Sequence, residues 1–271
     1  MFIFASKTCN KVSKRMRICA SIRFYLFFLL LLFLATDCRK PESNPNPRPE
    51  PTLKEFTFSP NKIWAHRVNT FEALHDKHDL FEGLEIDLFY SSHINNFYVA
   101  HDEIDTLHGI TLDMWIEKNP NPTKNWYWLD MKNLEEANAG EIASLLAKML
   151  EKYDIFHNVI CESTDPRALF VLKEKGFAVS LWVSSEGIIA DFETWKQQIE
   201  EQIAYLKPNA LSHYWELSPL LDTSFPNENI LYWHTPQSYS YTPENTEITR
   251  GLCQISNVKV VLVGYDIPIP Y

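Results

Sequence analysis

The sequence predicts an α/β protein whose folded part is a (β/α)₈ barrel, also called a TIM barrel. From about Pro60, eight short β-type runs alternate with helix-like stretches over about 210 residues. This alternation indicates a parallel sheet, because short right-handed crossovers permit few other topologies. Closure into a barrel suits a chain near the lower length limit of that fold, about 200 residues. An open doubly wound sheet is the alternative, but it would normally place a glycine-rich turn after the first strand, where the sequence has His66-Arg67-Val68-Asn69.

The eight predicted strands share short, β-branched or aromatic-rich composition between polar connections. They are Lys62–His66, Gly83–Phe89, Trp126–Met131, Asn158–Glu162, Phe177–Val183, Asn209–His213, Asn229–His234 and Lys259–Gly264. The seven intervening helical candidates are Phe71–Leu80, Leu112–Lys118, Glu135–Tyr153, Asp165–Lys175, Phe192–Leu206, Glu216–Leu221 and Glu244–Leu252.

Two helices have clear local signals. The third candidate carries one apolar stripe at helical spacing, formed by Ile142, Leu145, Leu146, Met149 and Leu150. The fourth begins at Asp165-Pro166, an N-cap residue followed by proline at the first helical position, and Gly176 ends it.

The N-terminal region has the composition of an export signal and tether. Residues 1–38 contain a basic segment followed by the apolar run Phe24–Ala35, which is shorter than the roughly 20 residues needed to cross a bilayer. The sequence before Cys38 resembles a lipoprotein cleavage box, so we expect an exported, periplasmic or cell-surface protein tethered to the membrane through a lipid on Cys38. An ordinary signal peptide or an uncut anchor is the alternative. Residues 39–59 are a proline-rich tether, and residues 60–271 form the barrel domain.

The charge excludes nucleic acid as a partner. The net charge is −10, and because the first 37 residues carry a net +5, the chain from Cys38 onward carries −15. Such a body is repelled by phosphate backbones, and no basic stripe offsets it. The folded part contains two cysteines, Cys161 and Cys253, without the spacing of a zinc site or a disulfide framework.

Ionisable residues cluster at the ends of the first three predicted strands, where barrel enzymes place catalytic groups. Glu85 and Asp87 share one face of the second strand, and Asp130 and Lys132 share a face at the end of the third. Carboxylates that point into a barrel are costly unless they are paired or bind metal. The three acids therefore predict a site for a hard divalent cation, Mg²⁺ or Ca²⁺.

These residues resemble the glycerophosphodiester phosphodiesterase family, within the wider superfamily of phospholipase-C-like phosphodiesterase barrels. The matching segments are His66-Arg67, Asn69–Ala73, Gly83–Leu88, Val99–Glu103 and Leu107–Gly109. With the end of the third strand, the resemblance covers Ile63 to Lys132, about a quarter of the chain. Asp130-Met131-Lys132 is closer to the D-x-K of sphingomyelinase D relatives, and Trp64-Ala65-His66 with Val68-Asn69 resembles menorin-type members. The family's His-Arg-Gly is His66-Arg67-Val68 here, and the following loop is shorter.

The resemblance implies a metal-dependent phosphoric diester hydrolase that acts on glycerophosphodiesters or lysophospholipid-type headgroups. It implies that Glu85, Asp87 and Asp130 hold the cation, that Arg67 and Lys132 bind the substrate phosphate, and that His66 and His101 act as general acid and base. Which histidine plays which role stays open at this point. Two alternatives are a catalytically weak, ligand-binding barrel of the same superfamily and a surface lipoprotein with a structural role.

Several polar or aromatic residues at later strand ends are further candidates for the pocket lining. They are Glu162, Trp182, His213, His234 and Asp266, each as consistent with packing as with function.

Overall fold

A computed structural model describes residues 56–188, 190–234 and 242–264. The signal sequence and all but the last four tether residues lie outside this part, as does Asp266. In the part that the structure describes, no helix has the length and apolar character that a membrane crossing requires.

In the described ranges, nine strands form one sheet that closes on itself. They are β1 (Ile63–Ala65), β2 (Gly83–Ser91), β3 (Asn96–Val99), β4 (Trp126–Met131), β5 (Val159–Ser163), β6 (Ala178–Trp182), β7 (Ala210–Tyr214), β8 (Ile230–His234) and β9 (Val258–Val263). All strands except β3 run parallel to their neighbours, and β1 pairs with both β2 and β9. This closure makes an eight-stranded parallel barrel, which confirms the predicted fold class.

Seven α-helices follow the strands. They are α1 (Phe71–Lys77), α2 (Leu112–Lys118), α3 (Ala139–Lys152), α4 (Pro166–Glu174), α5 (Phe192–Leu206), α6 (Ser218–Ser224) and α7 (Pro243–Gln254). Short 3₁₀ turns occupy Glu103–His108, Pro122–Lys124, Phe156–Asn158 and Trp215–Leu217. The Asp165 side chain accepts hydrogen bonds from two backbone amides of α4, as the predicted N-cap requires.

Strand β3 is not among the eight predicted strands and lies between the second and the third of them. It pairs antiparallel with the second half of β2, from Leu88 opposite Val99 to Ser91 opposite Asn96. Because β2 is nine residues long, it extends beyond the barrel wall and offers an edge that β3 covers. The chain then returns toward the barrel mouth at His101.

The buried apolar residues form two groups, as the alternation along parallel strands requires. The larger group lies between the strands and the helices and includes Leu84, Ile86 and Leu88 of β2, opposite the face that carries Glu85 and Asp87. The smaller group fills the barrel interior with Trp64, Trp128, Ile160, Ala178, Ala210, Leu231, Val260 and Leu262. Phe56 and Phe58, which precede β1, pack against this interior group.

Candidate active site

One cavity of about 390 Å³ lies at the carboxyl ends of the barrel strands. All seven residues predicted for the site line it: His66, Arg67, Glu85, Asp87, His101, Asp130 and Lys132. They lie in β2, in β4 and in the segments that follow β1, β3 and β4, and they are separated by up to 66 positions along the chain. Because parallel strands end at the same rim, the fold brings these distant side chains to one place.

Three carboxylates meet on one side of this cavity. Glu85, Asp87 and Asp130 each offer an oxygen within 4.8 Å of the others. Asp87 and Asp130 are register partners on β2 and β4, and Glu85 lies one inward position earlier on β2. Glu85 and Asp87 are only 2% and 1% exposed. Water therefore stabilises their charges little, and neighbouring groups must do so.

Lys132 is the cation that neutralises part of this charge. Its Nζ lies 2.7 Å from Asp87 Oδ1 and 2.5 Å from Asp130 Oδ2. Burial disfavours the charged ammonium group, but the two carboxylates outweigh burial and raise the pKa of Lys132. For Asp87, burial acts in the opposite direction, and the charge of Lys132 with hydrogen bonds from Lys132 and Asn69 keeps the pKa below its usual value.

Glu85 forms no ion pair with a lysine or arginine among the residues that the structure describes, and its nearest ring nitrogen is His66 Nε2 at 3.7 Å. Burial, with the charges of Asp87 and Asp130, raises its pKa well above the usual value, against the opposing hydrogen bond from the Arg67 amide. Three carboxylates beside one lysine leave an excess of negative charge when all are ionised. Oxygen donors with excess negative charge are what a hard divalent cation requires, so the donor set fits the predicted metal. The described residues therefore contain a candidate metal site.

Arg67 links the carboxylates to one of the histidines. Its backbone lies in the left-handed region, with φ of 53°, a conformation that costs energy for a residue other than glycine. In this conformation its amide donates to Glu85 Oε2 (2.5 Å), and its Nη2 donates to His101 Nε2 (2.9 Å). The shortened loop is held by Val68, whose carbonyl accepts a hydrogen bond from the buried Trp115 indole (2.9 Å).

The two histidines have different surroundings. The His66 ring lies almost buried beside Glu85, with 3.7 Å between Nε2 and Oε2. Burial, with the charge of Arg67, lowers the pKa of His66 to about 3, so the ring is neutral at neutral pH. The His101 ring is 35% exposed, and its Nδ1 lies 3.1 Å from Asp102 Oδ2. Because Arg67 can only donate, His101 Nε2 accepts, and Nδ1 carries the proton shared with Asp102.

Sequence reasoning did not assign a role to Asn69. Its Nδ2 donates to Asp87 Oδ2 (2.5 Å), and its Oδ1 accepts from the Asp87 amide (3.0 Å). Asn69 thus fixes the Asp87 carboxylate from two directions. The sequence did contain a signal for this role, because Asn69 lies in the short segment between β1 and α1 and begins the matching segment Asn69–Ala73.

The candidates at later strand ends divide into two groups. Glu162 and Trp182 line the cavity, as does Trp233 of β8. His213 and His234 are buried and are not among the residues that line it. His213 packs beside both tryptophan rings, and His234 Nδ1 lies 3.0 Å from the Thr249 hydroxyl.

Solved structures share the fold of this chain, but no close relative in sequence was found. No protein-family model matches the sequence, and no curated protein sequence does. Among solved structures, an Oleispira antarctica phosphodiesterase in complex with the product sn-glycerol-3-phosphate is 16% identical, with a TM-score of 0.54 over 76% of this chain and 94% of that chain. A Parabacteroides distasonis glycerophosphodiester phosphodiesterase is 13% identical, with a TM-score of 0.54 over 74% and 91% of the two chains. The corresponding values for an Agrobacterium tumefaciens glycerophosphodiester phosphodiesterase are 13%, 0.52, 76% and 96%. The described part of the chain therefore has the (β/α)₈-barrel fold of these phosphodiesterases.

Proposed function

We propose that the protein is a metal-dependent phosphoric diester hydrolase that acts on glycerophosphodiesters or lysophospholipid-type headgroups. The observation that carries this proposal is the convergence of three carboxylates, two basic side chains and two imidazoles in one cavity at the catalytic rim of the barrel. The fold shared with solved glycerophosphodiester phosphodiesterases supports the same reaction class.

The basic residues suit the binding of a phosphodiester. Arg67 and Lys132 both line the cavity, and the planar guanidinium can contact two phosphate oxygens at once. Glu85, Asp87 and Asp130 would hold Mg²⁺ or Ca²⁺, which would supply a positive charge for the non-bridging oxygens as the transition state forms.

The low pKa of His66 favours this ring as the general base, which leaves His101 as the general acid. A base must be neutral before the reaction, and the lowered pKa keeps His66 neutral. It takes the proton of an attacking water or substrate hydroxyl, whose oxygen forms the new bond to phosphorus. His101 Nε2 first takes up a proton from solvent after Arg67 has turned from it to the phosphate, and it gives that proton to the leaving oxygen as the bond from phosphorus to that oxygen breaks. Asp102 stabilises the charged form of His101 that this step requires, and Arg67 leaves Nε2 as it turns to the phosphate.

Hydrolysis of a panel of phosphodiesters by the purified full chain tests the proposal. We expect activity on glycerophosphodiesters that depends on Mg²⁺ or Ca²⁺ and disappears with EDTA. His66→Gln and His101→Gln should each lower kcat by roughly 10²–10⁴-fold, the usual contribution of a positioned acid or base. His108→Gln is the matched control, because His108 is an exposed residue that does not line the cavity. A folded protein that hydrolyses no diester with either ion would overturn the proposal.

A catalytically weak, ligand-binding barrel is the second candidate. The observation in its favour is that the charged groups already satisfy one another: Arg67 donates to His101, and Lys132 bridges Asp87 and Asp130. Calorimetry with Ca²⁺ and Mg²⁺, combined with the hydrolysis assay, separates the candidates, because this one predicts ion binding without turnover.

We also propose that the protein is exported and held at the membrane by a lipid on Cys38. The signal-like residues 1–38 and the proline-rich residues 39–59 support this. Metabolic labelling with a radioactive fatty acid should mark the wild-type chain and not Cys38→Ser, with Cys9→Ser as control. A purely structural role for such a surface lipoprotein would be favoured if Glu85→Gln and Asp87→Asn proved harmless to every binding and activity measurement.

A further inference from the structure

The wall of the cavity opposite β1 and β2 contains groups that the proposed chemistry does not use. Glu162 of β5, Trp182 of β6 and Trp233 of β8 all line the cavity. Glu162 is 4% exposed, and its Oε2 has no hydrogen-bond partner among the described residues. An unpaired buried carboxylate oxygen is costly, so its position at a ligand cavity indicates that a ligand completes it.

The two tryptophans form a rigid aromatic wall near this carboxylate. Their ring centroids are 6.1 Å apart, and His213 packs beside both, at 6.3 Å from Trp182 and 5.7 Å from Trp233. The His213 plane is within 15° and 17° of the two indole planes. Burial lowers the pKa of His213, so this neighbour adds no positive charge at neutral pH. The ring faces therefore remain an attractive surface for a cation from the substrate.

The charge balance of the cavity also favours a cation at this wall. Four carboxylates line the cavity, and Arg67 and Lys132 are the fully basic side chains that line it with them. With all four ionised, a divalent ion and one phosphodiester anion would leave a single negative charge without a partner. Glu162 is the carboxylate outside the three-acid cluster. Burial raises its pKa well above the usual value, so a cation at this wall would stabilise its charged form.

The strand register places Glu162 within reach of a bound phosphodiester. Asp87, Asp130 and Glu162 are successive partners across β2, β4 and β5, and all three point inward in one layer. Neighbouring strands are about 4.8 Å apart, a distance comparable with the reach of a two-carbon link between a phosphate and an amine. Glu162 pairs with Ser180 of β6. Trp182 is the next inward residue of β6 and therefore lies nearer the rim than Glu162.

From this arrangement we infer that Glu162, Trp182 and Trp233 form a subsite for an alkylammonium group. The preferred substrates are then phosphodiesters that carry choline or ethanolamine, rather than those with neutral polyol groups. This inference rests on the proposed function for the reaction itself, but the subsite can be tested without turnover.

The first measurement is binding of two phosphomonoesters to the full chain by titration calorimetry. Phosphocholine carries the cation, and glycerol 3-phosphate lacks it. We expect phosphocholine to bind more tightly, and we expect Glu162→Gln to lower the ratio of the two affinities by about tenfold, the size of a desolvated cation contact. Trp233→Leu should lower the same ratio, which provides a second variant if Glu162→Gln fails to fold. Glu136→Gln is the matched control, because Glu136 makes a surface pair with Arg167.

The second measurement is the ratio of kcat/KM for glycerophosphocholine to kcat/KM for glycerophosphoglycerol. Glu162→Gln should lower this ratio by about tenfold as well. An affinity ratio that does not respond to Glu162→Gln or Trp233→Leu overturns the subsite, even if both diesters are hydrolysed. A responsive affinity ratio without hydrolysis of any diester supports the subsite and overturns the proposed enzymatic function instead.

Discussion

Replacement of Gly83 by alanine tests the packing that supports the active-site strands. Gly83 of β2 pairs with Trp64 of β1, and both residues point into the barrel. An alanine Cβ would lie 1.9–2.2 Å from three atoms of the Trp64 indole. Because carbon atoms normally pack about 3.5–4.0 Å apart, the ring or the strand would have to move by roughly 1.5 Å.

The ring has little room for that movement. Trp64 is fully buried, and its Nε1 donates to the Asn61 carbonyl (3.0 Å). Overpacking of a dense core costs about 1–3 kcal/mol and occasionally more, and a clash of this depth lies at the upper end. We expect Gly83→Ala to lower the free energy of unfolding by about 3 kcal/mol. For a domain of this size that corresponds to a Tm lower by roughly 6–12 °C.

Denaturant unfolding followed by circular dichroism measures the effect, and a double-mutant cycle tests its cause. Trp64→Ala should itself cost about 3–5 kcal/mol, but in that background Gly83→Ala should cost less than about 0.5 kcal/mol. Gly251→Ala is the control: Gly251 lies in exposed α7 with open space around it, and alanine should stabilise the helix by about 0.5–1 kcal/mol. A Gly83→Ala protein within 0.5 kcal/mol of wild type would refute the argument.

Two further predictions concern buried charges. Lys132→Met removes the only described lysine paired with Asp87 and Asp130 and should lower the free energy of unfolding by about 3–5 kcal/mol at pH 7 in EDTA. The loss should be smaller near pH 4, because burial raises the pKa of both carboxylates once Lys132 is absent and they take up protons; an equal loss at both pH values would contradict this. Burial lowers the pKa of His234, which contacts Thr249, to about 4. Since the unfolded ring takes up a proton near pH 6.5 and the folded ring does not, stability should fall by roughly 2–3 kcal/mol between pH 6.5 and 4. His234→Gln should lack this part of the pH dependence in urea titrations, and an unchanged slope would argue against it.

The local pattern of the sequence was sufficient for most of the barrel. Each of the eight predicted strands has a counterpart, and Trp126–Met131, Leu112–Lys118 and Phe192–Leu206 have the predicted bounds. These elements have strong periodicity or clear flanking turns, and their faces follow from alternation alone. Strand β3 was missed because its pairing depends on the extra length of β2, which is a property of the partner rather than of its own residues.

The sequence likewise predicted one part of the candidate site and not the other. The chemistry of Glu85, Asp87 and Asp130 could be inferred from the sequence, because acidic residues at inward positions of a buried strand require a partner. The groups that contact these acids could not be inferred from the sequence. The hydrogen bonds from Asn69, Lys132 and the Arg67 amide depend on how the chain is oriented after the strands assemble. The different roles proposed for the two histidines also depend on burial, which local sequence does not reveal.

By itself, the sequence determined the alternation of strands and helices, the inward and outward faces of β2, and the residue types at the strand ends. These features depend on the periods of two and 3.6 residues, which act over a few neighbouring positions. Only the tertiary structure decided that β1 pairs with β2 and closes the barrel, that Arg67 adopts a left-handed backbone between Glu85 and His101, and that Glu162 faces two tryptophans. Those relations depend on the register between strands distant in the chain, which is set by the packing of the whole barrel rather than by any one segment.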